Sequence, residues 1–198
     1  MLIPLLIVAA LAALFAVGCQ ATRAGYESAP YKVVRADGKF EVRDYPALKV
    51  VETRMAKGTN GADGSFNRLF QFITGKNQAK QKISMTTPVF MSDTDSNATM
   101  AFVMPSKLRE GEVPRPTDAS VSLREVTSGR FAVLRFSGGR NTKNQTNQLE
   151  RLKTWMKAQG LSSNALPVYG YFDPPWTPAF LRRNEVMLRT TVENLPRR

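Results

Sequence analysis

The residues of this chain that could do chemistry are few, and what is missing narrows the field first. None of the 198 residues is histidine, and Cys19 is the one cysteine. Without an imidazole there is no Ser-His or Cys-His nucleophile pair and no His-type zinc site, and one thiol builds no thiolate cluster. No unperturbed side chain titrates near neutrality. Carboxylates such as Asp173 and Glu185 are present, but no paired acid/base motif or nucleophile elbow accompanies them. An enzyme is therefore not expected. What remains is binding. Phe66 and Phe70 fall one helical turn apart, Arg68 lies between them, and Lys76 and Met85 follow. Aromatic rings and a thioether offer apolar contact, while Arg and Lys can pair with carboxylates, Arg with a bidentate fork. Phe66, Arg68, Phe70, Lys76 and Met85 are thus the candidate ligand-binding residues. Each also has a plainer reading: a wider core for the rings and the thioether, a solvated face for the cations. Glu185, directly after Arg182, Arg183 and Asn184, reads as an ion-pair partner for those arginines. Tyr169, Tyr171 and Trp176 add aromatic surface suited to a core edge or a cleft.

The elements that must position these residues repeat. Phe40-Glu41-Val42-Arg43-Asp44 matches Val121-Ser122-Leu123-Arg124-Glu125, and both alternate apolar and polar as half-buried strands do. Apolar runs at 48–55 and 131–136 follow them. Phe66, Leu69, Phe72 and Ile73 then share helical spacing with Leu149, Leu152, Trp155 and Met156. Gly75 and Gly160 are plausible stops, and Asn147 with Glu150 has capping-box spacing. Strand-like runs at 83–91 and 168–176, and at 100–104 and 186–190, complete the series. The offset drifts slowly from 81 to 86 residues, as loops of unequal length in two copies would produce. The pattern predicts an α+β domain of two pseudo-symmetric β-β-α-β-β halves, about 31–105 and 119–192, with mostly antiparallel strands and one helix per half. Residues 106–118, rich in Pro and charge, are expected as the linker and as a loop.

Residues 1–18 are uncharged and nearly all apolar, and Cys19 follows. The run reads as a secretory signal peptide, and Ala16-Val17-Gly18-Cys19 resembles a bacterial lipobox in which the cysteine is lipidated. An uncleaved anchor is the alternative. Residues 19–30 form a tether without hydrophobic periodicity. Gln20 is not the Asp typical of inner-membrane retention, so the expected location is the periplasmic side of the bacterial envelope, as an outer-membrane lipoprotein. The formal charge is +12, from 28 basic and 16 acidic residues. This favours solubility and anionic surfaces. The basic residues are scattered and show no zinc-finger or helix-turn-helix spacing, so nucleic acid is not an expected partner. A monomer is expected.

Three stretches carry a resemblance to a known family: Ile83-Ser84-Met85-Thr86-Thr87-Pro88-Val89, Tyr171-Phe172-Asp173-Pro174-Pro175 and Arg182-Arg183-Asn184-Glu185-Val186. Together they resemble the SOUL family of haem-binding proteins, across about residues 31–189. The second stretch carries one Phe more than the family pattern. The resemblance implies a distorted antiparallel β-barrel of two pseudo-symmetric halves with two flanking helices. It implies non-covalent binding of haem or another tetrapyrrole in an apolar cleft beside the first helix, as carrier or buffer at the cell envelope. Since there is no histidine, such haem would not be His-ligated. The alternative is a binding module for a different amphipathic small molecule or lipid. One form of it is a cationic amphiphile with Glu185 as its counter-charge.

Overall fold

A computed structural model of the chain describes residues 25–92, 98–109 and 112–190. The signal peptide and Cys19 lie outside these residues, as does the tether up to residue 24. Eleven strands and three helices are described: β1 (Glu27–Ser28), β2 (Lys32–Asp37), β3 (Phe40–Tyr45), β4 (Leu48–Arg54), α1 (Ser65–Ile73), β5 (Thr86–Thr87), β6 (Val89–Ser92), β7 (Thr99–Val103), α2 (Ser106–Arg109), β8 (Val121–Val126), β9 (Gly129–Phe136), α3 (Thr142–Ala158), β10 (Val168–Tyr171) and β11 (Asn184–Arg189). A 3-10 turn occupies Ala179–Leu181.

Nine strands form one curled antiparallel sheet in the order β2-β3-β9-β11-β10-β6-β7-β4-β8. Leaving out β2, that order is a palindrome of the sequence repeat. The first strand of each half pairs with the second strand of the other: β3 with β9, and β8 with β4. The third strands, β6 and β10, meet at the centre, where Gly170 faces Phe90. A two-fold relation between the copies produces this order, so the duplication predicted from the sequence is visible as exchanged strands. The fold is the α+β distorted half-barrel expected. β2 is an addition, since all six of its residues are exposed and it carries no burial pattern to read. Short β1 pairs in parallel with β5. The linker, expected as a loop, contains the single helical turn of α2.

Alternation sends neighbouring residues of each strand to opposite faces. One face, with Val42, Val51, Phe102, Leu134 and Val186, packs under Leu69, Phe72 and Ile73 of α1 and Leu152, Trp155 and Met156 of α3. The other face gathers Tyr45, Leu48, Val50, Ala101, Val133 and Met187 into a second cluster. Both helices stop where glycine allows a left-handed backbone, at Gly75 (φ 115°) and Gly160 (φ 67°). The start of α3 differs from the expectation. Asn141, not Asn147, is its N-cap and accepts from Asn144 N at 2.9 Å, so the helix begins one and a half turns earlier. Gln145 and Gln148 then take buried positions that hydrophobic periodicity did not flag.

A buried charge network ties the halves together. Arg43 on β3 is 0% exposed, as is Glu185 on β11. Arg43 donates from Nη1 and Nη2 to the Glu185 carboxylate at 2.7 and 3.0 Å, and from Nε to Glu41 at 2.6 Å. Arg183 reaches the same Glu185 oxygen at 2.7 Å, and Arg135 reaches Glu41 at 2.7 Å. Burial pulls the Arg43 pKa down, but the bonds and charge of Glu185 outweigh it and leave it above the ordinary guanidinium value. Glu185 is thus the ion-pair partner expected from sequence. It is no counter-charge for a bound cation, because two guanidiniums already occupy it.

Candidate functional site

The site is built outward from α1. Gly64, with φ 81°, turns the chain into the helix, and Asp63 braces the turn by accepting from Ala56 N and Ser65 N. Leu69, Phe72 and Ile73 face the sheet. Phe66, expected in that buried stripe, is instead 42% exposed, and Phe70 is 43% exposed. Their rings stack at 5.9 Å and 16°, and Phe66 meets Phe102 edge-on at 5.3 Å. The helical arc is wider than the core requires, and its surplus forms a wall.

That wall bounds a cleft of about 510 Å³, within the range of about 300–1,000 Å³ typical of small-molecule sites. Met85, Thr87, Val89 and Met100 line it as well, together with Tyr171, Phe172 and the Asp173–Trp176 stretch. The Thr87–Pro88 peptide is cis. Tyr26, the second described residue, closes one corner. Tyr171 is held in place by Gln145 of α3, whose amide donates to the phenol oxygen at 2.6 Å.

Among the described residues one cation lines the cleft, Arg140, in the turn just before α3. Its guanidinium lies 5.2 Å from the centre of the Tyr171 ring. Among the described residues it makes no ion pair. Burial lowers its pKa from the ordinary guanidinium value; Tyr171 opposes this, and the charge of Arg182 adds a smaller effect in the direction of burial. A half-buried guanidinium without an ion pair can take a charge-assisted hydrogen-bond partner such as a carboxylate, and the one carboxylate in the same lining, Asp173, already accepts from Arg183 N at 2.6 Å.

The structure therefore brings together Phe66, Phe70 and Met85 but not the two expected cations. Arg68 turns back from α1 onto β4. It donates to Thr53 Oγ1 at 3.2 Å and to the Arg54 carbonyl at 2.7 Å, and lies 3.6 Å from Asp63. Lys76 sits beyond the helix end, where Nζ donates to Gln71 at 3.1 Å. Neither lines the cleft, because each has found a partner on its own side of α1. Sequence reasoning missed Arg140, which sits in a turn without periodicity. The aromatic run from Tyr171 to Trp176 gave the only signal for that stretch of the lining.

A second cavity, of about 100 Å³, opens on the other face of the sheet among Leu48, Val50, Ala101, Phe131 and Met187, with Glu52 and Arg124 at its rim. It is a fifth the size of the cleft, and that rim pair already lies 3.7 Å apart.

Residues 26–189 match the family model described as SOUL heme-binding protein. The chain is 26% identical to Heme-binding protein 2 of Mus musculus over 181 residues, covering 84% of this chain and 87% of that protein. It is 26% identical to Heme-binding protein 2 of Homo sapiens over 162 residues, covering 76% and 78%. Among solved structures it is similar to the EcmrR C-terminal domain (TM-score 0.59, 10% identity, 81% of this chain and 98% of that one). It is also similar to a hydrolase from Listeria innocua (TM-score 0.54, 11% identity, 80% and 94%). At such identities these two share the fold.

Proposed function

Since this chain belongs to the SOUL family of heme-binding proteins, we propose that its cleft binds haem or another tetrapyrrole non-covalently. Arg140 is the observation that carries the reading. A flat dicarboxylate seated against Phe66 and Phe70 would share the cleft with the Arg140 guanidinium, the cation that lines it among the described residues. The residues present fit such a group: aromatic walls for the macrocycle, a guanidinium for a propionate. For iron, the lining offers the Met85 and Met100 thioethers and the Tyr26 phenol, which are haem-ligand types. Bound haem would add a Lewis-acidic iron. The chain's own part is to grip the ring, hold the propionate and exclude water. The two relatives named for haem binding support this reading.

In this reading the protein is a carrier or buffer, not an enzyme. It acts as a monomer on the periplasmic side of the envelope, held by lipidated Cys19 after removal of residues 1–18. A different amphipathic anion, lipid included, is the second reading, favoured by the lack of any histidine. Titration with ferric haem and with metal-free protoporphyrin separates them. Saturable one-to-one binding of both supports the first reading. Saturation by neither overturns it.

A further inference from the structure

Trp176 is 80% exposed and Phe180 is 74% exposed, more than any other large apolar side chain among the described residues. The loop presenting them is not slack. Arg182 donates to the Thr177 carbonyl at 2.7 Å and also to the Pro175 carbonyl, and Thr177 is buried. Gly138 N donates to the Ala179 carbonyl at 2.9 Å, which ties the loop to the turn that carries Arg140. Pro174, Pro175 and Pro178 stiffen it further. A braced loop that holds two aromatic rings in water needs a surface to enter.

We propose that this lip of the cleft docks onto an anionic phospholipid bilayer, with Trp176 and Phe180 at the headgroup level. Trp suits the interface, with an apolar body and one polar N–H. Arg140 shares the cleft lining with Trp176, and Arg182 bonds the carbonyls of Pro175 and Thr177 on either side of it. They belong to a chain of net charge +12, and a negative bilayer attracts such a face. The chain's own course points the same way. Tyr26 lines this cleft and follows Cys19 by seven residues, a linker that reaches no further than about 25 Å even fully extended. A lipid on Cys19 therefore keeps the cleft mouth near the membrane. Because Trp176 belongs to both lip and lining, an apolar ligand could pass between bilayer and cleft without crossing water. Docking itself does not rest on the tetrapyrrole reading.

The test is depth-dependent quenching in the full chain on vesicles of phosphatidylcholine, with and without phosphatidylglycerol, carrying brominated acyl chains. The chain has two tryptophans. Trp155 is buried and donates to Asp37 at 2.8 Å, so it is the internal reference. Bromolipid is expected to quench the wild-type emission, more strongly with phosphatidylglycerol, and Trp176→Phe is expected to abolish the quenching. Leu166→Trp in the Trp176→Phe background probes an exposed position beyond the opposite end of α3 and is expected to stay unquenched. Quenching unchanged by Trp176→Phe, or equal quenching from the Leu166→Trp variant, overturns the proposal. Quenching without porphyrin binding leaves docking standing and removes only the haem reading.

Discussion

At the level of single residues, ligand binding depends on which cation faces the cleft, and that is Arg140 rather than Arg68. The sequence places Arg68 between two phenylalanines, and that spacing makes it look like a ligand-binding group. Its side chain is long enough to reach back to the Arg54 carbonyl and the Thr53 hydroxyl of β4, a tertiary fact that spacing does not encode. Arg140 has no such partner among the described residues, and its value lies in that lack, which only the assembled fold reveals. Phe66, Phe70 and Met85 do line the cleft; Phe70 stood out as surplus to the buried stripe and Met85 opens the Met85–Val89 motif, whereas helical spacing by itself put Phe66 in the core. Arg140→Gln is expected to weaken porphyrin binding about tenfold or more, since a hydrogen bond to a charged group contributes about 1.5–3 kcal/mol. It should leave the dimethyl ester of the same porphyrin unaffected. Arg68→Ala is expected to do the reverse, lowering stability by about 1 kcal/mol while affinity holds. Absorbance titration and urea unfolding of both variants check this.

At the scale of elements, α1 divides its labour between its two faces, and its residues should divide in the same way. Leu69 is fully buried, so Leu69→Ala is expected to cost about 2–5 kcal/mol of stability. Phe70→Ala, on the exposed wall, should change stability little but weaken ligand binding several-fold. Thermal or urea unfolding set beside porphyrin affinity separates the two. Helices α1 and α3 and eight of the sheet strands were legible because period and apolar content agree there. The start of α3 was not, because its first turns bury glutamines that a hydrophobic pattern ignores. β2 was not, because an exposed edge strand with Lys32 and Arg35 has no buried face to betray it. In β11, Glu185→Gln would leave Arg43 buried with its main partner neutralised. Such a broken pair is expected to cost about 3–5 kcal/mol, readable as a lower urea midpoint.

At the scale of the whole molecule, two copies of one unit exchange strands around the β6–β10 pair, and the charge network lies across β3, β9 and β11 on one side of it. The repeat made this duplication legible, but which strands pair across the halves is a long-range choice that local pattern leaves open. Stability should also carry the signature of the composition. With no histidine, urea midpoints are expected to stay level from about pH 5 to 8. Hydrogen bonds from Arg130 hold the Asp44 pKa below the usual carboxylate value. For Asp63, burial raises the pKa, but the bonds from Ala56 and Ser65 outweigh it, and the pKa again falls. Lowered folded pKa values mean the unfolded chain takes up protons first. The stabilisation is therefore present above about pH 4 and is lost as pH falls through the folded values. Midpoints measured down to about pH 3 should drop, and drop less in Asp44→Asn. In the proposed reading the cleft beside α1, and not the smaller cavity on the other face, holds the macrocycle. That placement is tested most directly by methyl NMR of methionine-labelled protein titrated with metal-free protoporphyrin, whose ring current shifts nearby methyls. Met85 lines the cleft and Met187 the other cavity. The Met85 resonance is expected to move saturably while Met187 stays still. Movement of Met187 with Met85 unmoved would contradict the account.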